Sequence, residues 1–75
     1  MSTPTAAIRE QLMVTSEQFQ RLQEEHSRYA TQLDQLAAKT YLSLEEQVEE
    51  VRLKKLKLRV KDQMELMVHQ AQAVH

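Results

Sequence analysis

Lys39-Thr40-Tyr41-Leu42-Ser43-Leu44-Glu45-Glu46 is the stretch that decides the fold of this chain. Large apolar side chains recur at helical spacing up to Leu36, the pattern lapses from Lys39 to Leu42, and it resumes after Ser43. Ser43 stands three residues before Glu46, the reciprocal capping-box arrangement in which each side chain accepts a hydrogen bond from the other's backbone N–H. Glu45 and Glu46 then occupy the first turn, where carboxylates meet the positive end of the helix dipole. The pattern predicts a new helix from about Leu44 to about Gln72, since no breaker follows. A connection of about five residues returns consecutive helices antiparallel. Neither Gly nor Pro interrupts this stretch, so the competing arrangement is one continuous helix running through it into a parallel coiled coil.

Upstream, Ile8, Leu12, Thr15, Phe19, Leu22, His26, Tyr29, Leu33 and Leu36 are separated alternately by 4 and 3 residues. That is a heptad seam, which places those side chains on one stripe able to pack as knobs against another helix. Pro4 suits a first helical turn, with Thr3 before it as a cap. A first helix is therefore expected over residues 4–38, a loop over 39–43 and a second helix over 44–72, all within one domain covering 1–75.

Positions equidistant from the bend should meet. This pairs Leu33 with Val48, Tyr29 with Val51, Leu22 with the turn from Leu58 to Val60, and Phe19 with Met64. The expected intrachain seam comprises Leu12, Phe19, Leu22, His26, Tyr29, Leu33, Leu36, Val48, Val51, Leu56, Val60 and Met64. On the second helix, Leu53, Leu56, Val60, Met64, Met67, Ala71 and Val74 form one apolar stripe, and Leu44, Val48, Val51 and Leu58 a second. A lone hairpin can bury only one of them, which leaves the other for a partner. Chains this short seldom build a sufficient core alone. Self-association is thus expected, most simply two hairpins forming a four-helix bundle as a dimer or tetramer, with a helical protein partner as the substitute.

The composition agrees and excludes much else. The chain has 75 residues, no Gly, no Cys and a single Pro, so the residues that tight hairpins and phosphate-cradling loops require are missing. The composition argues against sheet folds, and the lack of cysteine excludes thiolate metal sites and disulfide frameworks. A formal net charge of −1 supplies no overall field toward nucleic acid or anionic membrane. Runs such as Leu12–Val14 and Leu66–Val68 are too short for a signal-peptide core or a membrane span, and a cytoplasmic location is expected.

The strongest local charge feature is Arg52–Lys61, where six of ten residues are Lys or Arg and none is acidic. Arg52, Lys55 and Arg59 line one flank of the Leu53, Leu56, Val60 stripe, and Lys54, Lys57 and Lys61 the other. Long basic stems in such positions cover apolar surface while their heads reach water. Glu24 and Glu25 are expected near Lys54 and Lys57, and Glu50 lies four residues before Lys54 in the favourable order. A phosphate-binding stripe made of Lys54, Lys55, Lys57, Arg59 and Lys61 is the alternative use, and it would make the protein a nucleic-acid-associated regulator. A basic zipper reader, however, keeps its basic region outside the seam, and stacking aromatics are absent here. An apolar stripe with basic borders also suits a membrane surface, against which stand Glu45, Glu46, Glu49 and Glu50.

His26, the polar member of the seam, faces the neighbourhood of Lys55 and Leu56 and is expected to fix register, with Glu25 or a backbone group as its partner. It could also titrate near neutral pH. His26, His69 and His75, with Glu65 four residues before His69, fall short of a metal ligand set. Ser16, Ser27 and Ser43 lack a histidine placed for nucleophilic catalysis, and a helical rod offers no water-excluding pocket. A non-enzymatic interaction or scaffold module, without cofactor or metal, is the expected function.

The seam residues Phe19, Leu22, His26, Tyr29, Leu33 and Leu36, together with Leu53-Lys54-Lys55-Leu56-Lys57-Leu58-Arg59-Val60-Lys61-Asp62-Gln63-Met64, resemble the two signature segments of the YdcH-like family of small uncharacterised bacterial proteins. The likeness covers about Ser16 to Met67, and the second segment is the more specific. Tyr29 stands where the family carries an aliphatic residue, and the loop lacks the family's frequent glycine. The resemblance implies a short antiparallel helical hairpin and brings no known activity.

Overall fold

The computed structural model of the chain describes residues 4–73. They form three helices and no strand: α1 over Pro4–Thr15, α2 over Glu17–Ala37 and α3 over Leu44–Ala73. The fold is all-helical, but the first arm is two helices rather than one. Thr3, Val74 and His75, which entered the expectations above, lie outside the described residues.

Ser16 causes the break. Its backbone is extended (φ −114°, ψ 112°), and its hydroxyl accepts from the Phe19 N–H at 3.2 Å. Ser16 closes α1 by donating its own N–H to Leu12 O at 2.8 Å and opens α2 by accepting from Gln20 N at 3.1 Å. A serine offers the backbone this local alternative to continued helix, which is why it favours caps over helix interiors. Just before it, the Thr15 hydroxyl bonds back to Gln11 O at 2.8 Å, and across the junction Gln20 Nε2 reaches Met13 O at 2.6 Å, occupying a carbonyl that the helix end would leave open. Thr15 is consequently exposed rather than a seam position.

At the other end of α2, Ala38 keeps right-handed geometry and donates to Asp34 O, and Lys39 N tightens the last turn by donating to Leu36 O at 3.2 Å. No described residue has a positive φ, so the turn needs no glycine. The capping box forms as its sequence pattern predicts. Ser43 N donates to Glu46 Oε1 at 3.0 Å, and Glu46 N donates to Ser43 Oγ at 3.1 Å. Lys39 adds a hydrogen-bonded ion pair to Glu46 across the loop. The chain therefore bends and does not continue as one long helix.

α2 and α3 pack antiparallel along a rod whose longest dimension is 49 Å. Leu36 and Gln32 lie beside Glu49 and Leu53; further from the loop, Gln23 and His26 lie beside Lys57, Lys61 and Met64. α1 continues along the far half of α3, where Gln72 Nε2 donates to Thr5 Oγ1 at 3.3 Å and Arg9 sits beside Glu65, Val68 and His69.

The core follows from this layout. Ile8 from α1, Phe19 and Leu22 from α2, and Val60, Met64 and Val68 from α3 form one buried cluster, with Leu12, Tyr29, Met67 and Ala71 packed against it. Leu53 is buried nearer the loop, and Leu33, Leu36 and Leu56 are half-buried. Val48 and Val51 do not meet Leu33 and Tyr29 as the bend arithmetic expects. They point away from α2 and are largely exposed, and Leu53 fills the interior instead. Side chains at equal height need not share a face; on α3 the interior face lies on the side of the helix opposite Val48 and Val51.

Candidate interaction surface

At about 100° per residue, Leu53, Leu56, Val60, Met64, Val68 and Ala71 fall on one arc of α3, centred on the core. Leu44, Val48, Val51, Leu58 and Leu66 fall on the diametrically opposite arc. Their relative exposures are 77%, 65%, 51%, 58% and 56%. The first four are those that the sequence assigns to a partner. Leu66 belongs with them, although the sequence reading ends the stripe at Leu58; its spacing of eight residues from Leu58 is the signal that could have found it. Lys55 and Asp62, both exposed, interrupt the same arc. From Leu44 to Leu66 the stripe runs about 33 Å along the helix.

The basic run does not make a single surface. Arg52 and Arg59 border the exposed stripe on one side, and Lys55 stands within it. Lys54, Lys57 and Lys61 lie toward the other, where Lys57 is half-buried against α2. Lys54 pairs with Glu50 at 3.7 Å and Arg52 Nε with Glu49 at 3.0 Å, so part of the run is held by its own helix. The expected pairing of Lys54 and Lys57 with Glu24 and Glu25 does not form among the described residues. The Arg52 hydrogen bond holds the Glu49 carboxyl below the usual carboxylate range.

Lys57 and Lys61 instead border an open groove with Arg9, Gln23, His26 and Met64. Partial burial, followed by the charges of Lys57, Lys61 and Arg9, pushes the His26 imidazole below its ordinary pKa of 6.5. Three cations from two helices thus hold this seam histidine toward its neutral form. Neither Glu25 nor a backbone group accepts from it among the described residues. Arg9 enters the groove from α1, which the break at Ser16 separates from α2; in one continuous helix the separation of seventeen residues from Arg9 to His26 would hold them about 25 Å apart. His69 lies elsewhere, in the groove with Thr5, Arg9, Glu65 and Gln72. Ser16 and Ser43 are engaged as caps, and Ser27 bonds Gln23 and Thr31 within α2. No described helix is long and apolar enough to cross a membrane.

Comparison with known families matches residues 19–68 to the model described as "Protein of unknown function (DUF465)". The chain belongs to this family. No curated protein and no solved structure matches it. The DUF465 span contains the heptad residues from Phe19 to Leu36 and the Leu53–Met64 segment that carry the YdcH-like resemblance. It starts just beyond the Ser16 break and stops at Val68, the last residue of the core cluster on α3. The DUF465 portion is therefore the α2–α3 hairpin, to which α1 contributes Ile8. Leu44, Val48, Val51, Leu58 and Leu66 all fall inside it.

Proposed function

We propose that the protein is a small non-enzymatic interaction module that self-associates through the exposed stripe of α3. The observation that carries this reading is the stripe itself: Leu44, Val48, Val51, Leu58 and Leu66 share one face of a helix whose opposite face already closes the core. Scattered exposed apolar residues are ordinary, whereas a row of them along one helix face opposite a filled core favours an interface. A second helix laid along it would bury the row at coiled-coil spacing.

A phosphate-binding role for Lys54, Lys55, Lys57, Arg59 and Lys61 has less support. Those side chains leave α3 in two directions and would not follow one backbone.

Light scattering after size exclusion, across concentration and at low and high salt, tests the reading. A dimer or tetramer that persists at high salt is the expected result, because apolar burial is little screened. Val51→Glu and Leu58→Glu should each shift the population to monomer while leaving helix content intact. A helical monomer at every concentration would overturn the reading and redirect it to a heterologous helical partner.

A further inference from the structure

The two charges that interrupt the exposed stripe carry more information than the apolar residues around them. Counting along α3, the stripe positions are Leu44, Val48, Val51, Lys55, Leu58, Asp62 and Leu66, and the same arc continues through His69. Reversed about the midpoint between Leu58 and Arg59, this row falls on itself from Val48 to His69, with Leu44 beyond the paired part. Val51 and Leu66 are equally distant from that point, as are Lys55 and Asp62, and Val48 and His69. Leu58 sits next to the midpoint.

We infer that the occupant of the stripe is a second copy of α3, packed antiparallel about a two-fold axis between Leu58 and Arg59, with Lys55 of each copy against Asp62 of the other. The inference rests on the self-association proposed above and adds its orientation and register. An isologous interface must be self-complementary, and this row meets that demand in charge as well as in shape. Leu58 packs on its own counterpart, Val51 on Leu66, and both charged positions find an opposite charge.

Other arrangements fail on the same residues. A parallel, in-register pair sets Lys55 on Lys55 and Asp62 on Asp62, juxtapositions that the interface would have to tolerate twice. An antiparallel pair centred on Lys55 brings the two lysines together, and one centred on Asp62 brings the two carboxylates together. One centred on Val51 joins Leu44 to Leu58 but lays Lys55 against Gln47 and leaves Asp62 outside. Only the midpoint beside Leu58 pairs both charges. Because the stripe lies opposite the core, the two α3 helices form the inner pair and each α2 lies outside, a layered rod in place of a square four-helix bundle.

Charge exchange tests this directly. Lys55 and Asp62 are exposed and outside the core, so Lys55→Glu and Asp62→Lys should leave helix content by circular dichroism unchanged. Each single change creates two like-charge contacts and should weaken self-association by about tenfold or more in sedimentation equilibrium. The double variant restores opposite charges and should recover the wild-type constant. The chain has no cysteine, so Leu58→Cys supplies a second readout: under oxidation it should cross-link to itself readily, and Leu44→Cys should not. If the wild type proves monomeric, this inference and the proposed function fall together. If it self-associates but the double variant shows no recovery, or Leu44→Cys cross-links as readily as Leu58→Cys, the register is overturned and self-association stands.

Discussion

Leu53 and Val51 are two residues apart on α3 and face opposite ways: Leu53 is 2% exposed, Val51 51%. Two residues turn a helix by about 200°, so one side chain enters the hairpin and the other leaves it. Their energetics should diverge accordingly. Leu53→Ala should destabilise the folded chain by about 2–5 kcal/mol, as buried leucines do. Val51→Ala should cost within about 0.5 kcal/mol when urea unfolding is followed at concentrations too low for association. Equal losses at the two positions would contradict the placement of the core face. Phe19→Ala and Leu22→Ala belong with Leu53→Ala.

Ser16 should behave as a helix cap rather than as a residue inside a helix. Ser16→Ala removes the acceptor for the Phe19 N–H and should cost about 1 kcal/mol. The loss should be local, with faster amide hydrogen exchange at Glu17, Gln18 and Phe19 and little change near Ser43. Unchanged protection there would mean that the break does not depend on this hydroxyl.

Acid should loosen the loop through Glu46. Its hydrogen bond from Lys39, with that from the Ser43 backbone, lowers its pKa from 4.5 to about 2. A carboxyl depressed in the folded state contributes stability that is complete above its unfolded value and is lost as pH falls from 4.5 toward 2. Urea midpoints measured across that window should decline less steeply in Glu46→Gln than in the wild type. Parallel declines would show that the clip between Lys39 and Glu46 is not coupled to folding.

His26 carries a slope of the opposite chemical type but the same direction. Its folded pKa lies below 6.5, so just under 6.5 the unfolded chain binds more protons and stability increases as pH rises through that window. Imidazole titration by NMR should place His26 below its ordinary value. Lys57→Gln should move it upward, because it removes the charge with the largest effect after burial. An unmoved titration would take Lys57 out of the groove around His26.

These residues also show where the sequence is legible. Ser43 and Glu46 define the start of α3 by local hydrogen bonding alone, so that boundary can be read without knowing the tertiary structure. The heptad spacing from Phe19 to Leu36 likewise shows a helix with one buried stripe. Ser16 is harder. Its neighbours keep the 4–3 spacing through the break, and periodicity continues where the helix does not. The pairing of Val48 and Val51 failed for a different reason: both faces of α3 are apolar, and a pattern that is symmetric about the helix cannot say which side faces inward. Arg9 beside His26 was not legible at all, since periodicity alone continues one helix through Ser16 and sets the two far apart on it. Lys55 and Asp62 were in plain view, but their relationship emerges only once the face that carries them is known to be the outer one.

The hydrogen bond between Gln72 and Thr5 brings the start of α1 and the end of α3 to the same pole of the rod, opposite the 38–43 loop. The first turn of α1 and the last turn of α3 therefore lie side by side. In the antiparallel pair inferred above, this end of one copy would stand at the opposite pole from the same end of the other. The distance between the two would then be set by the number of turns in α3, along a rod 49 Å in length.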